Sequence, residues 1–350
     1  MTILQVIHRF DFGGSENHVC DISNAFAAKG HRVIVVGGKG RQHKKLTQNV
    51  NYIKVNTRLL LLPVYVIKLI LITKKYNANV IHAHQRLSIL AASIAGYLTN
   101  TRVIATIHGR AKYDVRSVLS RRIPHRLIFV SSKVLEYALK RYPIQSKSVV
   151  IPNGIYISEH ETKPTPHKIC YVSRVDKAHM KMLTLLTTEV MPQLLKDYRE
   201  AHLEIIGDGN QKAELIEMVN ELNEKTGKTV CTVSGYSNSV TSSLCSASIV
   251  IGVGRVALEA ISMGIPVISV NSKRFSGIIS TSNYEQIKFT NFIDSAAPKP
   301  TTLLLANEIN NVFTNLPRLH TESKLLKQKA HNDFSMDMVI NQLVQLYTNG

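Results

Sequence analysis

The stretch Gly252-Val-Gly254-Arg255-Val-Ala-Leu-Glu259-Ala-Ile-Ser-Met-Gly264-Ile-Pro266-Val-Ile268 decides how this chain is read. Its small residues form a turn that opens a short helical pattern, and the Glu259 carboxylate falls on the first turns of that helix. Gly264-Ile-Pro266 breaks the pattern, and the apolar run Val267–Val270 follows as a buried strand. Loop, helix start, carboxylate and buried strand in this order make the kind of edge at which parallel α/β sheets hold nucleotides. Ile251 stands eight positions before Glu259, where a second acidic residue would share the edge.

Outward from this segment, short apolar runs alternate with helical patterns almost from end to end. The spacing predicts strands at Ile3–Ile7, Val33–Val36, Val80–His82, Val103–Ile107, Leu127–Val130 and Val149–Ile151, with helices such as Glu16–Lys29, Leu87–Leu98 and Lys133–Arg141 between them. Pro, Gly and charged residues interrupt the pattern over 152–167, and strands resume at Ile169–Val172, Leu203–Ile206, Val230–Ser234, Ile249–Ile251 and Val267–Val270. The expected fold class is therefore α/β, with two Rossmann-like parallel-sheet domains facing across a cleft. The expected boundaries are 1–155, a linker at 156–167, 168–330, and a C-terminal helix at 331–350. Apolar Met338, Ile340, Leu343, Val344 and Tyr347 mark that last helix as one that docks back towards the N-terminal domain.

A length of 350 residues suits two domains, and a 44% hydrophobic content suits a globular chain. Net charge is +19, which calls for a polyanionic partner: an anionic membrane face, phosphorylated molecules, or nucleic acid. Nucleic acid ranks lowest, because aromatic residues are 6% of the chain and Trp is absent. Cys20, Cys170, Cys231 and Cys245 are widely spaced and set among apolar or small residues, as buried free thiols in a reducing compartment would be. The N-terminus shows no signal peptide. Leu59–Thr73 is strongly apolar but interrupted by Pro63 and Lys68, and too short to span a bilayer. Its length favours a helix packed on a sheet over an interfacial helix, which the neighbouring Arg58, Lys68, Lys74 and Lys75 would assist.

Several strand ends carry residues suited to chemistry. Gly13-Gly14-Ser-Glu16 follows the first strand and would let backbone N–H groups approach a phosphate. His108, at the end of Val103–Ile107, points into the expected crevice, where a neutral imidazole can donate to a sugar hydroxyl or polarise a leaving group. His82-Ala-His84 ends another strand, but no carboxylate or Cys completes a metal site. Arg174, with Lys177 or Lys181, can neutralise a diphosphate, while a solvated basic loop is the competing reading. Gly207-Asp-Gly209 and Gly235-Tyr236 are glycine turns against which a base or ribose could lie. Glu259 can accept both ribose hydroxyls, and Arg255 sits beside the Gly254 turn.

Taken in order, these pieces resemble the family 4 glycosyltransferases, retaining enzymes of the two-domain GT-B architecture. The resemblance runs through Gly13-Gly14-Ser-Glu16, His108, Val149-Val-Ile-Pro-Asn-Gly154, Ser173-Arg174 with its lysines, Gly207-Asp-Gly209 and the Glu259 segment. It implies that Gly14 lies against the donor diphosphate, that Arg174 and Lys181 neutralise it, that Glu259 holds the ribose, and that His108 touches the transferred sugar. It also implies a UDP- or GDP-sugar donor, no metal and no other cofactor. The family's Glu, seven residues, Glu pattern is incomplete, because Ile251 takes the first position. The missing contact would fall to Arg255 or to the backbone N–H of Val253 or Gly254.

The resulting expectation is a cytoplasmic glycosyltransferase, peripheral at the inner face of a bacterial plasma membrane. Its acceptor would be a cell-surface polysaccharide, a lipopolysaccharide or a lipid-linked glycan. The cations Arg41, Lys44, Lys45, Lys74, Lys75, Arg110, Lys112, Arg116, Arg121 and Arg122 would meet anionic lipid or acceptor phosphate. The competing readings are a GT-B sugar-nucleotide epimerase or phosphorylase, and a nucleotide-sugar-binding protein without turnover.

Overall fold

In the computed structural model the alternation becomes two compact units, Met1–Tyr156 with Phe334–Gly350, and Ile157–Asp333. The structure describes residues 1–11, 13–109, 115–156, 161–235 and 240–348, with the side chains of 115 and 116 outside that set. Part of the expected linker, at 157–160, therefore lies outside the described residues.

The first unit holds seven strands: β1 (Thr2–Ile7), β2 (Arg32–Gly37), β3 (Val50–Lys54), β4 (Val80–His84), β5 (Arg102–Ile107), β6 (Arg126–Phe129) and β7 (Ser148–Val150). They pair in the order β3-β2-β1-β4-β5-β6-β7, all parallel. The near-continuous apolar runs of β1, β2 and β5 follow from burial on both faces, since helices cover a parallel sheet on either side. One face carries Leu4, Val6, Ile34, Ile81 and Val103 against Tyr65 and Leu69 of the helix Leu62–Tyr76. The other carries Ile3, Ile7, Val33, Val35 and Ile104 against Val19, Ile22 and Phe26 of the helix Gly14–Ala28.

That second face is completed from the far end of the chain. The helix Leu316–Phe334 ends inside the segment expected to open the C-terminal helix, and the chain re-enters the first unit there. Ile155 N–H donates to the Phe334 carbonyl and Met336 N–H to the Ile155 carbonyl, both at 2.9 Å. The helix Met336–Thr348 then buries Met336, Val339, Ile340, Leu343 and Tyr347 in the first unit's core.

The second unit holds β8 (Lys168–Val172), β9 (His202–Ile206), β10 (Cys231–Ser234), β11 (Ile249–Ile251), β12 (Val267–Val270) and β13 (Phe275–Ile278), ordered β10-β9-β8-β11-β12-β13. All pairs are parallel except β12–β13. Two edge strands, β3 and β13, escape the apolar-run reading. The first alternates polar and apolar residues at a half-exposed edge, and the second is antiparallel and contains Gly277 at φ 73°.

The surface assigned to basic residues needs correction at Arg121, which is only 2% exposed. Its guanidinium donates to the Ser117 carbonyl at 2.9 Å and lies over the Tyr142 ring at 5.3 Å, so it is a core residue and not a docking charge. Arg110 and Lys112, and the side chain of Arg116, lie outside the described residues. Cys20, Cys170 and Cys231 are buried and Cys245 is half-buried, all as free thiols.

Candidate functional site

In each sheet the chain reverses direction of progress once, between β1 and β4 in the first and between β8 and β11 in the second. Such switch points leave a crevice beyond the C-terminal strand ends, because the connections on either side depart in opposite directions. Of the residues singled out in the sequence, Gly13 and Gly14 follow β1, Arg174 follows β8 and Gly254 and Glu259 follow β11 at these two points, whereas His108 follows β5, Gly207 follows β9 and Gly235 follows β10.

In the second unit, β8 is followed by Ser173, Arg174 and Asp176. Asp176 caps the helix Lys177–Thr184 by accepting from Ala178 N–H at 3.0 Å, and His179 Nδ1 lies 2.6 Å from the same carboxylate. The His179 contact holds the Asp176 carboxyl below the usual carboxylate range. Arg174 remains largely exposed, 3.6 Å from Asp176 Oδ2. Lys177 and Lys181, one turn apart on this helix, are both exposed. Arg174 and Lys177 thus stand at a helix N-terminus that already favours negative charge, and Lys181 follows one turn on.

Next to it, β11 leads through Gly252, Val253 and Gly254 into the helix Arg255–Met263. Gly254 takes φ 60° and ψ −127°, a conformation that glycine alone adopts without strain. Gly264 ends the helix in the left-handed conformation, φ 76°. Glu259 is half-buried and accepts from Arg255 Nε at 2.7 Å. Ile251 is fully buried as the last residue of β11, paired with Tyr171 and Ile268.

Two of the groups expected to replace a carboxylate near Ile251 are therefore engaged already. Gly254 N–H donates to the Asn291 carbonyl at 2.7 Å, which removes it from that role. Arg255 is ion-paired with Glu259 through its Nε.

The glycines after β9 permit two close backbone approaches. A Cβ on Gly207 would stand 1.9 Å from the Ser173 carbonyl oxygen, and one on Gly209 2.0 Å from that of Val175. Backbone bonds run alongside: Val175 N–H donates to the Asp208 carbonyl and Gln211 N–H to the Val175 carbonyl. These glycines let the 207–209 turn press against the 173–175 loop and so position Arg174. Gly235 ends β10 with Lys212 close by, at 3.2 Å from the position of a Cβ. Tyr236 lies outside the described residues.

In the first unit, Gly14 opens the helix Gly14–Ala28 with open space around it, whereas a Cβ on Gly13 would meet the Glu16 carboxylate. Glu16 accepts from Ser15 Oγ at 2.7 Å and from the Gln85 amide at 2.9 Å. Gln85 itself sits at φ 65°, a strained conformation for a non-glycine residue, directly after β4.

His108 follows β5 and belongs to a histidine cluster that sequence reading did not assemble. Its Nε2 lies 3.1 Å from His84 Nδ1, and His84 Nε2 lies 2.9 Å from Gln5 Oε1. With the Gln5 carbonyl accepting, His84 carries its proton on Nε2, so its Nδ1 accepts from His108 Nε2–H. His108 is left presenting an unprotonated Nδ1, which has no partner among the described residues. In this tautomer the free His108 nitrogen accepts a hydrogen bond rather than donating one. Neighbouring His82 meets Thr106 and Tyr347 at 2.6 Å each. Burial pushes His108 down to about 4, His82 to about 3 and His84 well below the ordinary histidine value, so all three are neutral at pH 7. His82 and His84 are filled by hydrogen bonds within the protein, and among the described residues no three His, Cys, Asp or Glu side chains gather as a metal site. The available signal was the run of polar residues, Gln5, His82, His84 and Thr106, in strands otherwise apolar.

Two parallel α/β units with ligand-type residues at both switch points define the class of two-domain enzymes acting on nucleotide-linked substrates. Residues 12–159 match Glycosyltransferase Family 4, and residues 166–294 match Glycosyl transferases group 1. The chain is a glycosyltransferase. Its fold is that of the GT-B glycosyltransferases. A glycosyltransferase from Rickettsia africae ESF-5 superposes with a TM-score of 0.79 at 18% identity, over 100% of this chain and 99% of that one. Anabaena Alr3699/HepE, in complex with UDP, superposes at 0.77 with 16% identity over 100% of both chains. The lipopolysaccharide outer core galactosyltransferase WaaB gives 0.60 at 15% identity, over 99% and 98%. No curated protein sequence matches the chain.

Proposed function

We propose that this glycosyltransferase moves a sugar from a nucleoside diphosphate donor, with retention of configuration, to an acceptor of the bacterial cell surface: a polysaccharide, a lipopolysaccharide or a lipid-linked glycan. The observation that carries the donor reading is the pairing of β8 with β11, which puts the Arg174 loop and the Glu259 helix at one switch point. Glu259, steadied by Arg255, would accept the two ribose hydroxyls. Arg174 and Lys181, with Lys177 as the alternative partner, would neutralise the diphosphate and stabilise it as it leaves, without a metal ion. Gly14 would face the diphosphate from a helix N-terminus, and His108 Nδ1 would accept from a sugar hydroxyl. UDP is the first base to try, since HepE is a UDP complex. With Ile251 buried where the family carries its first Glu, the sugar would be held through His108 and the backbone at Val253. The enzyme would work at the inner, cytoplasmic face of the membrane, where the excess of cations meets anionic lipid.

The test offers UDP- and GDP-sugars without acceptor and assays free nucleoside diphosphate. Slow release with one donor, abolished in Glu259→Ala and Arg174→Ala, is the expected result. Calorimetry showing no binding of any sugar nucleotide would refute the reading. Retention is checked by the anomeric configuration of the product in NMR.

A further inference from the structure

The segment Leu59–Thr73 resolves into two apolar faces rather than one. Tyr65, Val66, Leu69 and Thr73 are buried against the first unit's sheet and the helix Arg86–Thr99. On the opposite side Leu60 is 93% exposed, Val64 48%, Ile67 56% and Leu71 61%. Positions 64, 67 and 71 recur at helical spacing within the helix Leu62–Tyr76 and form one ridge, which the exposed Leu59, Leu60 and Leu61 of the preceding 3-10 turn extend at its start. A helix with apolar residues on both faces is covered on both in its working state, and a ridge of this size is a contact surface.

Charge says what covers it. Residues 22–113 contain 15 Lys and Arg and no Asp or Glu. Arg58, Lys68, Lys74 and Lys75 border the ridge, with no carboxylate from their own segment to screen them. At the ridge's N-terminal end lies an open groove of about 1360 Å³, which Leu59 and Leu60 line together with Arg9, Lys39, Lys54 and Arg58. Among the described residues Asp11 is the single carboxylate on its wall. Apolar side chains at the level of acyl chains, with lysines and arginines at the level of phosphates, match an anionic lipid surface. Among the described residues no helix is long and apolar enough to cross a membrane, so the ridge can only lie in its surface.

We infer that the 59–71 ridge docks into an anionic lipid surface, bringing the adjoining basic groove to the phosphate layer, where it admits the anionic head of a lipid-linked acceptor. The inference rests on the proposed function for its acceptor and its membrane face, and vesicle binding reads the docking without donor or acceptor. Docking also gives the groove its direction, since a lipid-anchored head group can approach only from the membrane side.

The chain contains no Trp, so a single introduced one reports its own surroundings. Leu60→Trp in the full-length protein is mixed with vesicles of phosphatidylglycerol and phosphatidylcholine, and Leu325→Trp, at a 58% exposed site of the second unit, serves as control. The expected result is a blue-shifted, bromolipid-quenched emission for Leu60→Trp alone, on anionic vesicles and not on pure phosphatidylcholine. Ile67→Gln with Leu71→Gln, on the ridge and outside the groove, should weaken vesicle co-sedimentation by on the order of tenfold per side chain, with unchanged thermal melting and unchanged donor hydrolysis. Equal behaviour of the two Trp variants, or equal binding to neutral vesicles, would overturn the inference. So would an emission that is already shifted without lipid and varies with protein concentration, because a second copy of the chain would then cover the ridge. Loss of donor hydrolysis with vesicle binding intact would count against the enzymatic reading only.

Discussion

The first unit carries 24 Lys and Arg against 6 Asp and Glu, whereas the second carries 19 against 18. Both bury a parallel sheet between helices and both place their candidate residues at a switch point, so the asymmetry is not a demand of the fold. It separates two ways of handling phosphate. The second unit, nearly neutral, gathers Arg174, Lys177 and Lys181 along one short helix and the loop before it, where the proposed donor diphosphate would need local charge. The first spreads its cations over a surface, which suits an extended polyanion. Its interior shows a second contrast, a neutral histidine cluster in a unit that is otherwise strongly cationic.

The largest effect that would sharpen this contrast is a response to acid centred on the first unit. His82, His84 and His108 have folded-state pKa values depressed below the ordinary 6.5 by burial. Their contribution is fully present above pH 6.5 and is lost as pH falls towards their folded values, because the unfolded chain takes up the protons first. Three such groups steepen the loss to roughly 4 kcal/mol per pH unit between about pH 6 and 4. Melting followed at stepped pH reads this, and His82→Gln with His84→Gln should flatten the slope; an unchanged slope would show that the cluster does not titrate. Next in size, Arg174→Ala should lower donor turnover by about 10²–10³-fold, or roughly 3–4 kcal/mol, while leaving vesicle binding intact. If vesicle binding fell with it, the division of labour between the units would be wrong.

Smaller, and within the second unit, Gly207→Ala should destabilise by about 1–3 kcal/mol in denaturant melts, since its Cβ would meet the Ser173 carbonyl. A normal melt with normal donor binding would remove the glycine's positioning role. The mildest change is expected of His84→Asn. It should lower kcat by roughly tenfold with little change in the donor KM, through loss of the His108 tautomer, and long-range nitrogen NMR of the free protein should show that tautomer shift directly.

Much of the fold was legible because parallel strands buried on both faces are written as contiguous apolar runs, and β1, β5, β8 and β11 could be read directly. The place of Arg174 just past β8, and of the glycine turn that leads from β11 into the Glu259 helix, was legible for the same reason. What escaped depends on partners far apart in sequence. Gln5 meets His84 across 79 residues, and His82 meets Tyr347 across 265. Arg121 looked like one more surface cation until Ser117 and Tyr142 closed around it. The helix at 62–76 offered a choice between sheet-packed and interfacial, yet its composition was rich enough to serve both faces at once.

The return of Met336–Thr348 to the first unit sets an order of manufacture. Residues 1–156 leave the ribosome first, yet Ile3, Ile7 and Phe26 share their core with Val339, Ile340 and Tyr347. That core stays open until all of Ile157–Asp333 has been synthesised. The nearly neutral second unit can close on itself while the cationic first one waits, its apolar face uncovered, for the segment that seals it. The half of the enzyme that begins first is finished last, and a nascent chain stalled before residue 336 would present an unsealed sheet to chaperones.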